Sequence, residues 1–454
     1  MPFPLPPSHG SAQRRKRYFL KNPLKYLLIQ LDFCSWNYTV TTRIIQSGFR
    51  KKMAGKLKNA AVRAAKSTAK NAAKRSVRRL IPLRYRFLLL LLLISAALGI
   101  TFIPEESVPP ALEPVHTFLI RYRNKAVRST GLPVSLYEDS VTIENPGGAP
   151  VRLYFAPSPG IAGALAEFIG TAGSTLYVCI YDLDLENVAD ALIQAKSRGV
   201  SVKVVTDTDN YALNAVRRLL EAGIEVVPDN RKSIMHNKFV IVDAHYVWTG
   251  SFNFTDNCAG RNDNNALILE SPELAAGYIA KFDEYWDGKF SVQAKQRSVN
   301  TRVKAGSIPV QYAFSPSDGI RNIILEELSQ AQKSVDVMAF SFTNNDLALK
   351  LAELIRRGVR VRCVFDNGQA GSKYSRKSYL RKAGALVYPS PNRTGKMHHK
   401  VIIIDNKTVI TGSYNYSRNA EELNDENIVI LRCPAIAHYY TKEFKRCISG
   451  TKGY

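Results

Sequence analysis

Two copies of one histidine–lysine pattern could supply the chemistry of this chain. The first copy places His236 two residues before Lys238, and the second places His398 two residues before Lys400. Both residues of the first copy recur 162 positions later. A lysine ammonium can neutralise phosphate oxygens, while an imidazole can attack phosphorus or transfer a proton. The pattern therefore predicts one phosphate-handling site built from two half-sites.

Further polar residues follow each pair at matched positions. They are, in the first and second copy, Asp243 and Asp405, Ser251 and Ser413, and Asn253 and Asn415. Each Asp lies an odd number of residues beyond its Lys, so on an unbroken strand it faces away, and we expect it to be structural. The Ser and Asn follow a turn and a second short apolar run, so a hairpin would return them beside the pair as uncharged hydrogen-bonding groups.

The residues after each pair indicate the elements that position it. Residues 239–242 and 401–404 are apolar with strong β character, as in a mostly buried strand. Side chains two apart on a strand share a face, so His236 and Lys238 should point the same way. The same holds for the second pair.

A wider repeat surrounds the motifs. Strands are predicted at residues 176–180 and 335–339, and the helix-like segment after each ends near Gly199 or Gly358, where glycine suits a helix C-terminus. Each copy then continues with a strand, a helix and a strand hairpin. This order predicts an α/β unit with a largely parallel sheet covered by helices on both faces.

Written as HxKxxxxD followed by GSxN, the two motifs resemble the signature of the phospholipase D superfamily. The resemblance covers about residues 151–450. It implies two similar α/β sandwich halves with mixed, largely parallel sheets, related by a pseudo-twofold axis, with the site at their junction. It also implies a two-step displacement through a phosphohistidine. No cofactor and no metal are expected, and the sequence has no His/Cys cluster at zinc spacing.

The resemblance also implies roles for the histidines and lysines. His236 is the expected nucleophile and His398 the expected acid, with the two lysines neutralising the phosphate. The family often uses a carboxylate after the motif to orient the motif histidine. Here Glu426 occupies that place in the second half, whereas the first half reads Asn262-Asp263-Asn264-Asn265. We therefore expect His236 to lack an acidic partner, unless Asp263 substitutes for it.

Several remaining residues fit ordinary packing better than chemistry. His399 should face away from the site, and the aromatic residues interleaved with the GSxN tails should belong to the core: Phe252, Phe254, Tyr414 and Tyr416. Cys179 and Cys363 lie in predicted buried strands. Three other cysteines could pair in an oxidising compartment, although the odd number after residue 103 argues against a complete disulfide framework: Cys258, Cys433 and Cys447.

Charge is distributed unevenly along the chain. The whole sequence carries a formal net charge of +25, which favours a nucleic-acid partner. Residues 1–86, however, contain 21 basic residues and one acidic residue, so most of the excess belongs to this tail. The region with the motifs is only mildly basic.

An uncharged apolar run of seventeen residues, 87–103, follows the basic tail. It predicts a single-pass transmembrane helix or signal anchor, with a cleaved signal peptide and a buried core helix as alternatives. The positive-inside rule would place the tail in the cytoplasm and the catalytic region on the non-cytoplasmic side, periplasmic or extracellular. A front end rich in Arg and poor in acids also resembles an organellar transit peptide, which would relocate the protein.

These observations divide the chain into six predicted parts. They are a basic cytoplasmic tail (1–86), the transmembrane helix or signal anchor (87–103), a linker and lead-in (104–150), a first phospholipase D-like half (151–290), a connector (291–308) and a second such half (309–450). Both half-sites lie in one chain, so an oligomer is not required.

The leading functional interpretation is hydrolysis of phospholipid head-group phosphodiesters, with a phospholipid membrane as the partner. A predicted membrane tether beside the site favours lipid. An endonuclease acting on nucleic acid and a cardiolipin-synthase-like phosphatidyl transferase are the alternatives. A non-catalytic binding module is disfavoured because both His-Lys pairs are retained.

Overall fold

The computed structural model describes residues 140–158, 160–294, 298, 301–451 and 453. All of them fall within one compact unit, Ile100–Tyr454. The predicted tail, the predicted membrane segment 87–103 and most of the predicted lead-in lie outside the described residues. Within the described ranges, no helix has the length and apolar character needed to cross a membrane.

The first half of the described chain builds one eight-stranded sheet. Its strands are β1 (Ser140–Ile143), β2 (Val151–Ala156), β3 (Thr175–Ile180), β4 (Ser201–Thr206), β5 (Glu225–Pro228), β6 (Lys238–Val242), β7 (Tyr246–Gly250) and β8 (Asn264–Glu270). Its helices are α1 (Gly160–Gly170), α2 (Glu186–Ser197), α3 (Asn214–Glu221), α4 (Asp256–Gly260) and α5 (Pro272–Trp286), with single 3₁₀ turns at Thr208–Asn210 and Ser291–Gln293.

The second half builds a second sheet of the same size. Its strands are β9 (Arg302–Ala305), β10 (Ile308–Ser315), β11 (Ser334–Ala339), β12 (Arg360–Phe365), β13 (Leu386–Pro389), β14 (Lys400–Ile404), β15 (Thr408–Gly412) and β16 (Glu426–Arg432). Its helices are α6 (Ile320–Ser329), α7 (Asn345–Arg356), α8 (Asn367–Ala370), α9 (Lys377–Ala383), α10 (Arg418–Glu422) and α11 (Pro434–Ile448).

The two sheets have the same topology. The strand order is β1-β2-β8-β7-β6-β3-β4-β5 in the first sheet and β9-β10-β16-β15-β14-β11-β12-β13 in the second. The expected mixed α/β halves are therefore present, but the expectation of largely parallel sheets is wrong. In each sheet only two of the seven neighbouring strand pairs are parallel: β3–β4 and β4–β5, and β11–β12 and β12–β13. Strands joined by a tight turn can pair only in antiparallel fashion, as β6 and β7 do in the first half and β14 and β15 in the second.

The hairpin turns lie where the sequence predicts them. Residues 243–245 link β6 to β7, and residues 405–407 link β14 to β15. The His245 amide donates to the Val242 carbonyl and the Lys407 amide to the Ile404 carbonyl, so the central turn residues are Asp243 and Ala244, and Asp405 and Asn406. All four residues have positive φ, between 51° and 54°. Two central turn residues with positive φ match the right-handed twist of the flanking strands, and after glycine, Asp and Asn are the residues that adopt this conformation most readily. Ala244 adopts it without that advantage.

Three hydrophobic cores hold the layers together. One lies between the first sheet and its outer helices, and another occupies the equivalent place in the second half. The third contains residues of both halves, including Phe239 and Tyr278 of the first and Phe314 and Tyr440 of the second. The Phe239 ring centroid is 4.9 Å from that of Tyr278 and 6.3 Å from that of Phe314. A shared core fixes the position of one half against the other.

The last helix of each half also packs across the junction. Helix α5 contacts β9 of the second half, and α11 contacts β1 of the first. The four aromatic residues assigned to the core from the sequence are buried, which confirms that expectation. All five cysteines of the described chain are free, so the suggested pairing among Cys258, Cys433 and Cys447 is wrong. Cys258 and Cys447 are buried in the cores.

Candidate active site

Each motif histidine is anchored by the backbone of the opposite half. The His236 amide donates to the Asp425 carbonyl oxygen at 2.9 Å, and the His398 amide donates to the Asp263 carbonyl oxygen, also at 2.9 Å. The bridges Met235↔Asp425 and Asp263↔Met397 accompany these bonds. A contact from i to j that recurs as a contact from j to i is the mark of a twofold relation. The two half-sites therefore meet on the pseudo-twofold axis.

The two lysines lie at the inner ends of equivalent strands. Lys238 is the first residue of β6 and Lys400 the first of β14, and both side chains are buried. The Lys400 ammonium donates to the His398 carbonyl oxygen at 2.8 Å, and the Lys238 ammonium donates in the same way to the His236 carbonyl. These bonds hold each ammonium beside the histidine of its own motif.

An aromatic ring flanks each histidine. The His236 ring meets the Tyr181 ring edge-on at 5.0 Å, and the His398 ring meets the Phe340 ring edge-on at 5.2 Å. The lysine ammonium of each motif lies 5.2 Å from the same ring. Sequence reasoning missed both rings. Their signal was available, because each directly follows a predicted strand and the two are 159 positions apart, the offset of that part of the repeat.

The orienting partner of each histidine comes from the other half. His236 Nδ1 is 2.7 Å from Glu426 Oε2, and His398 Nδ1 is 2.7 Å from Asn264 Oδ1. The expectation that His236 lacks an acidic partner is therefore wrong, as is the implied pairing of Glu426 with His398. Asp263 does not substitute for a partner, because its carboxylate binds Arg446 at 2.7 Å. The exchange follows from the bridges, which carry the start of β16 to His236 and the start of β8 to His398.

The serines of the GSxN segments act on these partners. Ser413 Oγ donates to Glu426 Oε2 at 2.7 Å, and Ser251 Oγ donates to Asn264 Oδ1 at 3.2 Å. The glycine before each serine has φ near +145°, and a Cβ on Gly250 would lie 2.4 Å from the Asn265 carbonyl oxygen. Glycine is thus needed for the strand end to approach closely enough.

The other predicted supporting residues lie in two different settings. The side-chain oxygens of Asn253 and Asn415 are buried and accept no hydrogen bond from the described residues. Among those residues, neither side-chain amide is hydrogen-bonded to a His-Lys pair. Asp243 instead caps the start of β3, accepting from the backbone amides of Gly173, Ser174 and Thr175 at 2.7–2.9 Å.

Asp405 plays the equivalent part at the start of β11. It accepts from the amides of Gln332, Lys333 and Ser334 at 2.7–2.8 Å. These amide bonds outweigh the effect of burial and lower the pKa of both aspartates below the ordinary 3.8. Both aspartates therefore hold a turn to a strand away from the histidines.

Burial and mutual repulsion control the charges of the site. Burial, together with the charges of both lysines, holds the pKa of His236 and of His398 well below 6.5. Burial lowers the pKa of Lys238 to about 8, and burial with the Lys238 charge lowers that of Lys400 well below 10.5. Burial raises the pKa of Glu426 to about 8, although Lys238 draws it down. Clustered cations of this kind favour an anion such as phosphate.

A second buried cluster lies behind the second motif. The ligand atoms of His399, Glu443 and Cys447 lie within 4.8 Å of one another, which is a possible metal-binding set. His399 Nε2, however, bonds Glu443 at 2.8 Å, and Glu443 also binds Arg446 at 2.6 Å. Burial opposes ionisation of Glu443, but Arg446 and His399 outweigh it and lower its pKa to about 2. The cluster is an ion-pair network that fixes the second motif.

Comparison with known proteins follows the same division of the chain. A family model described as cardiolipin synthase, PLD-like domain, matches residues 165–286 and 324–448. The mitochondrial cardiolipin hydrolase of Chlamydomonas reinhardtii is 28% identical over 135 residues, which are 29% of this chain and 60% of that protein. A phospholipase D of Rickettsia bellii is 38% identical over 131 residues, 28% of this chain and 65% of that protein. The chain thus spans under two thirds of the length of these relatives.

One solved structure is similar over most of the described chain. Phosphatidylserine synthase of Haemophilus influenzae Rd KW20 matches with a TM-score of 0.55 at 14% identity, covering 69% of this chain and 89% of that one. This likeness shows a common fold. The family model matches two separate regions that together make up more than half of the sequence, each containing one His-Lys motif. The chain belongs to the phospholipase D superfamily.

Proposed function

We propose that the protein is a phosphodiesterase that hydrolyses the head-group phosphodiesters of phospholipids through a phosphohistidine intermediate. The observation that carries the proposal is the convergence of two buried His-Lys pairs, with each imidazole held at Nδ1 by the other half. Relatives named phospholipase D and cardiolipin hydrolase support a lipid substrate.

The contact between Glu426 and His236 supports His236 as the nucleophile. A carboxylate at Nδ1 fixes the tautomer, leaves Nε2 free to attack and stabilises the positive charge that develops on the ring. The Nε2–phosphorus bond forms as the bond from phosphorus to the departing alkoxide oxygen breaks. His398 donates its proton to that oxygen, so the alcohol leaves neutral. His398 suits this part because Asn264 gives its cation no charged partner, which keeps the imidazolium a strong acid.

In the second step the same groups act in reverse. His398, now neutral, takes a proton from water, and the water oxygen bonds to phosphorus as the bond to His236 Nε2 breaks. The products are a phosphomonoester and the free imidazole. Lys238 and Lys400 face the negative charge on the phosphoryl oxygens in both steps. The negative charge of a bound phosphodiester also raises the pKa values of His398 and of both lysines, which burial lowers. His398 then carries the proton that it donates, and both ammonium groups stay charged.

We also propose how these parts are arranged along the chain. Two catalytic halves at 151–290 and 309–450, joined by 291–308, would use a segment at 87–103 to hold the site beside a bilayer. Mitochondrial and bacterial relatives are in keeping with a membrane or organellar setting.

A substrate comparison tests the proposal. The full chain would be offered vesicles of phosphatidylcholine, vesicles of cardiolipin and single-stranded DNA in parallel, each with EDTA. We expect release of a head-group alcohol and no cleavage of DNA. The matched control is His236→Asn, which keeps a polar side chain of similar size.

Each contrary result has a definite meaning. Cleavage of DNA with intact lipid would make the protein a nuclease. A requirement for divalent metal would overturn the two-histidine mechanism. Lipid turnover that yields a new phosphodiester when glycerol or phosphatidylglycerol is added, and little phosphomonoester, would make it a transferase.

A further inference from the structure

The rims of the two half-sites carry different charges. We call residues 208–234, which follow β4, the first rim, and residues 367–396, which follow β12, the second rim. The first rim holds four basic and four acidic residues, whereas the second holds seven basic residues and no acidic one. The seven are Lys373, Arg376, Lys377, Arg381, Lys382, Arg393 and Lys396. Equivalent segments of one repeat have therefore become neutral on one side and strongly cationic on the other.

The second rim lies against the second half-site. Asp366, which directly precedes the second rim, accepts a hydrogen bond from the Met397 amide at 3.3 Å, next to His398. The Arg376 amide donates to the Phe342 carbonyl at 3.0 Å, two residues beyond the Phe340 ring that flanks His398. At the other end, Lys396 directly precedes Met397 and bonds Asp263 through the backbone at 2.8 Å. The cationic segment is therefore tied at both ends to the second motif.

Aromatic side chains stand out from the same surface. Tyr374 is 64% exposed and Tyr379 is 40% exposed, and the Lys373 ammonium lies 5.0 Å from the Tyr374 ring. The first rim has no counterpart within its described residues: Arg218 there is engaged by Glu186 and Asp190. Exposed tyrosine beside lysine and arginine suits the boundary between lipid head groups and water.

The loops that lead out of β3 and β11 extend the contrast. Residues 181–185 contain two acidic residues, Asp182 and Asp184, whereas residues 340–344 contain no charged residue. Asp184 is exposed. The first side of the site would therefore repel an anionic surface that the second side attracts.

We propose that the second rim is a docking surface for an anionic phospholipid bilayer. Docking there places the His398 side of the site against the membrane. Basic residues attract an anionic leaflet, and the two tyrosines enter the head-group layer. A nucleic-acid strand fits less well, because a polyanion that crosses the site would meet both rims, and the first is neutral with acidic loops beside it. The choice of lipid rests in part on the proposed function, but the asymmetry does not.

A local fluorescence experiment on the full chain tests the proposal. Tyr374→Trp places a reporter on the second rim, and Leu220→Trp, at a position 36% exposed, places a matched reporter on α3 of the first. Both variants carry the same basic tail and the same native tryptophans. Vesicles of phosphatidylcholine and phosphatidylglycerol with brominated acyl chains quench tryptophan that enters the bilayer. We expect added quenching for Trp at 374 and none for Trp at 220.

Charge reversal supplies the second comparison. We would make Lys373→Glu and Lys377→Glu together in the Tyr374→Trp chain. This change should raise the lipid concentration needed for half-maximal quenching by about tenfold or more. Equal quenching at the two reporter positions, or none at 374, would overturn the proposal. So would a change in emission with single-stranded DNA but not with vesicles. Quenching is measured without turnover, so it tests docking separately from catalysis. A chain that docks but does not hydrolyse lipid would contradict the proposed function and still support the docking surface.

Discussion

The two half-sites share a backbone and differ in the group behind each histidine. His236 has a carboxylate at Nδ1 and His398 has an amide, both at 2.7 Å. The strand order, the hairpin turns and the reciprocal backbone bonds are the same on both sides. Symmetry of the main chain thus positions two imidazoles alike, while one side-chain difference makes them chemically unequal.

The layer behind the motifs shows the same contrast. Asn427 Nδ2 bonds Asn237 at 2.8 Å in the first half-site, and Asn237 reaches Tyr285 at 3.3 Å. In the second, Asn265 bonds His399 at 2.9 Å, and the contacts continue to the Glu443 ion pairs. This chain of contacts is uncharged behind the half-site with the carboxylate, whereas it ends in ion pairs behind the one with the amide.

The largest expected effect distinguishes the two histidines directly. His236→Asn should lower kcat/KM by roughly 10⁴-fold or more for every substrate, because the nucleophile is lost. His398→Asn should lower it by about 10²- to 10⁴-fold for an alkoxide leaving group, but much less for a p-nitrophenyl ester, which leaves without a proton. Of the two variants, acid-quench labelling should find phosphohistidine in His398→Asn and not in His236→Asn. Rescue of the His236 variant by the good leaving group would reverse the assignment.

Removing the charge behind the nucleophile comes next. Glu426→Gln keeps the shape but loses the carboxylate, and kcat should fall by about 10²-fold with little change in KM. Burial raises the pKa of Glu426 to about 8, so the parent pH profile should contain an ionisation far above the ordinary 4.5. The variant should lose that ionisation. A profile that keeps it would assign it to another group, with Lys238 the first to examine.

A carboxylate at Nδ1 of His398, the proposed acid, would make the two half-sites more alike. In Asn264→Asp the new charge stabilises the His398 cation, and a raised pKa means that the proton is kept to higher pH. Activity that needs protonated His398 should therefore extend to higher pH, while kcat/KM near its optimum changes by about tenfold at most because the acid is weaker. The matched control is Asn264→Ala, which removes the partner without adding charge and should not extend the range.

The smallest expected effect is on the free energy of unfolding, and it compares the stability of the two halves. Asp243→Asn and Asp405→Asn each remove charge from a cap with three backbone amides, and should lower the free energy of unfolding by about 1–2 kcal/mol. The native pKa values are depressed below 3.8, so this stabilisation is present above that pH and is lost as pH falls through the native values. Denaturant titration at neutral and acid pH measures it. The shared central core predicts one transition for both variants; two transitions would show that the halves unfold separately.

Local sequence patterns predicted the individual strands and turns, but they did not predict the contacts between the two halves. The strands at Lys238–Val242 and Lys400–Ile404 and their hairpins follow from β-rich apolar runs and turn residues. The parallel content was overestimated, because strand order depends on long-range pairing that no local run contains. Glu426 lies 190 positions from His236, and only the twofold relation brings them together. Within one half the nearest motif histidine is His398, which is why that pairing was expected.

The reciprocal bridges Met235↔Asp425 and Asp263↔Met397 have a consequence for variation. In a pair of identical chains, any substitution at the position of Asn264 would appear behind both histidines at once. Here the two copies lie in one polypeptide, so the position behind each histidine can change alone. Covalent linkage therefore permits specialisation: one copy holds a glutamate and the other an asparagine, each serving the histidine of its neighbour.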